Sequence, residues 1–305
     1  MLADIKRINI EIKNTMTDII ERICKTHNIS LTGTKRFTVG QGNYVFQLNT
    51  VKESFVIRLG HDSYEESINL LNLVSSTGVT VPKPLFSGEC GGFNYMICSY
   101  INGKDIGLIY NELTDSEKKT IAKEVVEIQS KVSKISLPYQ CDMVGWVYHM
   151  LDRARYRIKA NGFFDTSKVD EVEKLVPLFE DYFKNLQPVV YLDDISTKNL
   201  MINNGHVAGV VDIDWLGYGD PLTFVALTNI ALLDMQYDTD YVDFLLNEMG
   251  ACVIGRKVFI LYSLLYCVDF MGERGTTFND KTVEVNESII NKLNRIYDHL
   301  YDLIS

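Results

Sequence analysis

The stretch YLDDISTKNLMINNGHVAGVVDIDWLGYGDPL, residues 191–222, gathers the side chains best suited to chemistry. An apolar run ends in adjacent Asp193 and Asp194, and Asn199 follows five positions after the second. A second apolar run closes on Asp212 and Asp214. Between the two runs lies Asn204-Gly205, the strongest short-range signal for a type I′ hairpin. With those two as turn residues, Asn203 faces His206, Ile202 faces Val207 and Asn199 faces Val210. Asp212 then lies two residues further on, on the same face by the period-two rule. Asp194 stands in the loop that enters the hairpin. Close carboxylates repel unless they share a cation or a proton. One Asn and two Asp oxygens suit a hard cation such as Mg²⁺, which keeps waters and takes phosphate oxygens as further ligands. The plain alternative is that these residues cap solvated turns. Apolar strand-like flanks on both sides weigh against it.

These residues need a scaffold. The N-terminal third reads as an opening helix followed by strands. YVFQL (44–48) and FVIRL (55–59) are short β-branched and aromatic runs joined by polar residues, which fits a hairpin. Ile68, Leu71 and Val74 mark a helix that stops near Gly78 and Pro82, and FNYMICSYI (93–101) reads as another strand. Past residue 105 the pattern turns helical. Thr114 and Glu117 form a capping box ahead of the stripe Ile121, Val125, Ile128 and Val132. Most of 222–305 also reads as helix, with 188–213 the only strand-like stretch in this half. The expected fold class is therefore α+β. A small β-rich lobe over 1–100 is joined to a larger helical lobe over 104–305, which holds the loop and hairpin of 188–220.

Composition narrows the function. The chain has 305 residues, 46% hydrophobic and 23% charged, with net charge −10 and a sequence pI near 5.0. That balance argues against nucleic-acid binding, which needs a basic face. It is compatible with a cationic small-molecule substrate, although acidic solubility is the commoner cause. The six cysteines include no CxxC pair and read as reduced thiols of a cytoplasmic protein. The opening residues MLADIKRINIEIKNTM show no apolar h-region, so no secretory signal is expected. The longest apolar stretch, VFILYSLLYCV (258–268), is too short to span a bilayer and reads as a core helix.

The 191–222 stretch resembles the signature of the aminoglycoside phosphotransferase and choline kinase-like family, which has the bilobal protein-kinase-like fold. That pattern runs H-G-D, four residues, N, a hairpin, G-x-I-D-W or a variant, then G-D-P. The resemblance implies Asp194 as catalytic aspartate, Asn199 and Asp212 as Mg²⁺ ligands with Asp214 as fallback, and Asp220 as the G-D-P aspartate. One departure stands out: the His-Gly before the aspartate is Leu192-Asp193 here, and in this fold the histidine organises the loop.

In the first lobe, Gly40 and Gly42 of FTVGQGNYVFQL would let backbone N–H groups approach phosphate oxygens; a plain tight turn is the alternative. No GxxxxGK[ST] is present, which removes a P-loop. Arg58, amid an apolar strand, needs a charge partner. The resemblance implies that it contacts phosphate, paired with Glu66 or Glu65, Glu66 being preferred. The stretch 97–103 resembles the hinge, where Ser99 and Ile101 would offer backbone groups to the base.

The resulting expectation is transfer of the γ-phosphoryl group of ATP or GTP to a hydroxyl of a small acceptor. The acidic balance leans toward an aminoglycoside-like antibiotic, hence antibiotic resistance. Choline, homoserine and macrolide-type acceptors are the alternatives, and Asp234, Asp269 and Glu273 are candidate acceptor-binding acids. A nucleotide-binding module without catalysis and a metal-dependent hydrolase built on the aspartate cluster are the rivals. A cytoplasmic monomer or dimer is expected, with no nucleic-acid or membrane partner.

Overall fold

The computed structural model describes residues 16–37, 44–138, 140–278 and 281–304, and divides the chain into two compact units. The first is Met1–Ser75 with Pro82–Ile101. A helix over 16–26, α1, leads to strands β1 (Gly33–Phe37), β2 (Tyr44–Asn49) and β3 (Ser54–Gly60). Helix α2 (Glu65–Ser76) and strands β4 (Pro84–Cys90) and β5 (Phe93–Ser99) follow. The strands form one antiparallel sheet in the order β1-β2-β3-β5-β4. Alternation sorts its two faces. Leu48, Ile57, Leu59 and Ile97 join Ile20 and Ile23 of α1 in one apolar core. Arg58 stands between Ile57 and Leu59 and therefore projects to the opposite face, with Met96 as its neighbour on β5.

The second unit is Ser76–Val81 with Asn102–Ser305. It opens with a two-residue strand, β6 (Lys104–Asp105), and a single helical turn, α3 (Ile106–Ile109). Helices α4 (Asp115–Val132), α5 (Met143–Asn161), α6 (Ser167–Leu175) and α7 (Glu180–Asn185) come next. Strands β7 (Val189–Tyr191), β8 (Leu200–Asn203), β9 (His206–Val210) and β10 (Gly217–Gly219) carry the aspartate-rich stretch. Helices α8 (Leu222–Asp234), α9 (Asp240–Glu248) and α10 (Val253–Glu273) are followed by the hairpin β11 (Thr277–Phe278) and β12 (Lys281–Thr282), then α11 (Glu287–Ile304). Thr114 and Glu117 form the reciprocal capping box that starts α4. All four residues of the stripe Ile121, Val125, Ile128 and Val132 are buried. Helix α10 packs against α5, α8 and α11, and Val258, Leu261, Leu265 and Val268 within it are fully buried. A helix apolar on most sides is a core helix. No helix among the described residues is long and apolar enough to cross a membrane.

The strand content of this half exceeds the sequence expectation. Besides 188–213, short strands stand at Lys104–Asp105, Gly217–Gly219, Thr277–Phe278 and Lys281–Thr282. Strands of two or three residues are too short to show alternation, and their partners create them: β6 pairs with β8, and β10 with β7.

Candidate active site

The hairpin around Asn204-Gly205 forms with both turn residues at positive φ, 51° and 75°, as a type I′ turn requires. Asn203 faces His206 and Ile202 faces Val207. The register then slips: Met201 faces Gly209 and Leu200 faces Val210. An extra residue on β9 is a β-bulge. The expected pairing of Asn199 with Val210 is therefore corrected, and the Val211 N–H donates to the Asn199 carbonyl at 2.9 Å. Both Asn199 (φ 67°) and Asp212 (φ 57°) sit in the left-handed region, so strand alternation does not govern where they point. Asn and Asp are the non-glycine residues that enter this region most readily, at roughly 1–2 kcal/mol per residue.

The loop from Leu192 to Asn199 gathers the chemistry. Asn199 Nδ2 donates to the Asp194 carbonyl at 2.9 Å and to Asp194 Oδ2 at 3.1 Å. Its amide oxygen is the atom left to face a cation. Asp193, Asp194, Asp212, Asp214 and Trp215 line one pocket. Asp194 reaches solvent, yet burial by the packed loop pushes its carboxyl above the usual range. The Lys198 charge opposes that rise, and the Asp212 charge adds to it. A carboxylate held upward is a better proton acceptor. Among the described residues no three His, Cys, Asp or Glu form a cage that could hold an ion. One carboxylate and one amide oxygen are the sparse donor set of Mg²⁺, which takes its remaining ligands from water and phosphate.

Two residues that the sequence reading passed over hold this loop. The Asp105 carboxylate accepts the Asn199 N–H at 2.8 Å. Burial pushes Asp105 upward, and the Asp212 charge adds to that rise. From α4, buried Gln129 donates to the Leu192 carbonyl at 2.8 Å and accepts the Leu192 N–H at 2.9 Å. A signal for Gln129 existed, since it lies four residues after Val125 and three before Val132, on the apolar side of the helix. Asp105 had no comparable signal: in the NGKD stretch it reads as a turn residue. Gly107 also serves the loop, because a Cβ there would lie 2.5 Å from the Thr197 carbonyl oxygen.

Asp193 stands where the resemblance has glycine. Its carboxylate accepts from the Trp215 indole, while burial pushes its pKa up to about 6. A carboxyl raised from 3.8 contributes stability that is complete below about pH 4 and lost as pH rises through 6. Asn at this position carries no such loss. Without divalent cations, Asp193→Asn should therefore gain about 2–3 kcal/mol relative to wild type between pH 4 and pH 8. Urea melts across that range check it, and parallel curves would refute the buried charge.

In the first unit, Gly40 and Gly42 lie outside the described residues. Arg58 is half-buried, with its guanidinium carbon 5.8 Å from the centre of the Tyr64 ring. Glu65 and Glu66 are exposed in the first turn of α2. The Ser99 N–H donates to the Lys83 carbonyl at 2.9 Å, so that donor is already used. Among the described residues the Ile101 N–H donates to no backbone carbonyl.

The candidate acceptor acids are all paired with cations. Asp269 accepts from Arg153 at 2.8 and 3.0 Å and from Arg157 at 3.2 Å. Glu273 lies 3.4 Å from Arg157. Asp234 pairs with Arg274 at 2.9 Å and Lys292 at 2.8 Å. Asp220 is 2% exposed and accepts from Tyr182 at 2.8 Å, Tyr262 at 3.1 Å and the Leu222 N–H at 3.0 Å. It anchors the end of the aspartate-rich stretch to α7 and α10.

The fold matches solved kinase-like proteins. The ADP-bound aminoglycoside phosphotransferase APH(2'')-Ib is 15% identical with TM-score 0.65, the alignment covering 94% of this chain and 98% of that one. The GDP complex of an aminoglycoside 2'-phosphotransferase-IIIa mutant is 14% identical with TM-score 0.69, covering 95% and 98%. A gentamicin complex of APH(2'')-IIa is 14% identical with TM-score 0.61, covering 83% and 88%. No curated protein sequence gives a significant match. The sequence model described as the phosphotransferase enzyme family matches residues 33–243, more than half of the chain, and the protein belongs to that family.

Proposed function

We propose that the protein transfers the γ-phosphoryl group of ATP or GTP to a hydroxyl of a small molecule, with Mg²⁺ as cofactor. The observation that carries this reading is the joining of Asp194 to Asn199, with Asp212 in the same pocket. Asp194 orients the acceptor hydroxyl and takes its proton as the oxygen bonds to phosphorus and the nucleoside diphosphate leaves. Asn199 and Asp212 would hold Mg²⁺, which when bound neutralises charge on the phosphates. Asp105 and Asn199 fix the loop so that Asp194 is placed before the acceptor arrives. In the unit that ends at Ile101, the roles proposed are phosphate contact for Gly40, Gly42 and Arg58, with Glu66 as the partner of Arg58. Ser99 and Ile101 serve the base, through the Ser99 carbonyl and the Ile101 N–H. The unit from Asn102 onward carries the transfer.

For the acceptor, the net charge of −10 supports a cationic, aminoglycoside-like molecule. A gentamicin-bound relative in fold is consistent with it. A second reading is favoured by the ion pairs of Asp234, Asp269 and Glu273: acids already matched by arginine and lysine hold ammonium groups less well. That favours acceptors with few amines, of the macrolide, choline or homoserine type.

The test is Mg²⁺-dependent ADP and GDP release across a panel of aminoglycosides, macrolides and small amino alcohols. Release stimulated by one acceptor class names the substrate. Nucleotide binding with silence across the panel favours a binding module instead.

A further inference from the structure

The loop that carries Asp194 lacks the histidine that the family pattern places at position 192, and the side chain there is apolar. Leu192 is 2% exposed, so its peptide groups have no access to bulk water. Buried peptide groups need partners. Both partners of Leu192 come from a single side chain 63 positions earlier: Gln129 donates its amide N–H to the carbonyl and accepts the N–H on its amide oxygen. A primary amide is the neutral group that can satisfy a backbone N–H and C=O at once. Gln129 is itself 7% exposed, and it sits on a helix whose neighbouring residues Val125 and Val132 are fully buried. Its position is therefore set by the core and not by the loop.

We infer that Gln129 is the positioning residue of this active site, locking the backbone at Leu192 so that Asp194, two residues on, is held for proton transfer. This rests on the phosphotransferase reading above, but the lock is a property of the backbone and can be measured without turnover. The far end of the same loop is held independently, where Asp105 takes the Asn199 N–H. With both ends fixed, the placement of Asp194 does not depend on a histidine at 192. Release of the Leu192 end leaves Asn199 in place. Metal and nucleotide binding should then survive while proton transfer suffers.

The test compares wild type with Gln129→Met, Gln129→Glu and Val125→Ala, at a temperature where all four are folded by circular dichroism. Gln129→Met keeps the volume and removes both hydrogen bonds. Gln129→Glu keeps the acceptor and turns the donor into a repelling oxygen. Val125→Ala leaves a cavity on the same helix face and removes no hydrogen bond to the loop. Amide exchange at Leu192 and Mg²⁺-dependent ADP formation are read for each. Gln129→Met should speed Leu192 exchange about tenfold or more. It should lower kcat about 10- to 100-fold, with the nucleotide KM within about threefold of wild type. Gln129→Glu, with an unpaired charge against the Leu192 carbonyl, should lose at least as much as Gln129→Met, and Val125→Ala should match wild type in kcat. Unchanged Leu192 exchange in Gln129→Met, an unchanged kcat despite faster exchange, or an equal kcat loss in Val125→Ala would each overturn the inference. If wild type forms no ADP with any acceptor, the phosphotransferase reading fails. Exchange at Leu192 then decides by itself whether Gln129 locks the loop.

Discussion

Asp194→Asn should lower kcat about a hundred- to ten-thousandfold, the range that a positioned general base supplies. Nucleotide affinity should stay within a few-fold of wild type. The asparagine keeps the size of the side chain and one oxygen that can accept from Asn199 Nδ2, so the loop retains its contact. What disappears is the group proposed to take the proton from the acceptor hydroxyl. Asp194 is exposed, so the substitution should shift stability by no more than about 0.5 kcal/mol. The split between lost turnover and retained binding is what identifies a base and not a scaffold residue. Steady-state kinetics with the best acceptor, together with calorimetric nucleotide binding, check both halves. Normal turnover in the variant would remove Asp194 from the mechanism.

Asp220→Ala should destabilise the helical unit by about 3–5 kcal/mol, because three buried donors lose their acceptor together. Tyr262 is fully buried and Tyr182 partly so, and both hydroxyls point at Asp220 Oδ2, while Oδ1 takes the Leu222 N–H. Burial, reinforced by the Asp220 charge, pushes both tyrosine hydroxyls upward and keeps them protonated donors. Burial also pushes Asp220 up, and those three hydrogen bonds oppose the rise. For a unit of this size the expected loss is about 6–20 °C in melting temperature. Asp220→Asn retains one acceptor oxygen and should lose about half as much. Thermal melts followed by circular dichroism decide it. An alanine variant that melts within about 2 °C of wild type would show that the tyrosines find other partners.

Much of the local structure was legible in the residues. The Asn204-Gly205 turn, the Thr114–Glu117 cap and the stripe of α4 depend on neighbours within a few positions, and local rules reach that far. The family signature was legible for a related reason: the phosphate and metal chemistry it resembles needs Asp, Asn and Asp in one order, with spacings a hairpin can close.

The register beyond the turn was not legible. A bulge on β9 changes what faces Asn199, and its one hint in the sequence is Gly209, a residue type that often marks a bulge within a strand. The left-handed backbone of Asn199 and Asp212 was not legible either, nor were contacts from outside the hairpin, such as the Val210 N–H to the Thr80 carbonyl at 2.9 Å. Likewise Asp234, Asp269 and Glu273 read in sequence as candidate acceptor-binding acids. Their arginine and lysine partners lie up to 116 positions away, and only packing brings them together.

The order and spacing of Asp194, Asn199, Asp212 and Asp220, and the hairpin turn between them, were determined by the sequence alone, because each depends on short-range geometry. What holds the loop, Gln129 at one end and Asp105 at the other, was decided by the tertiary structure. Both act by hydrogen-bonding buried backbone groups, and a backbone group has no residue type for a sequence pattern to display.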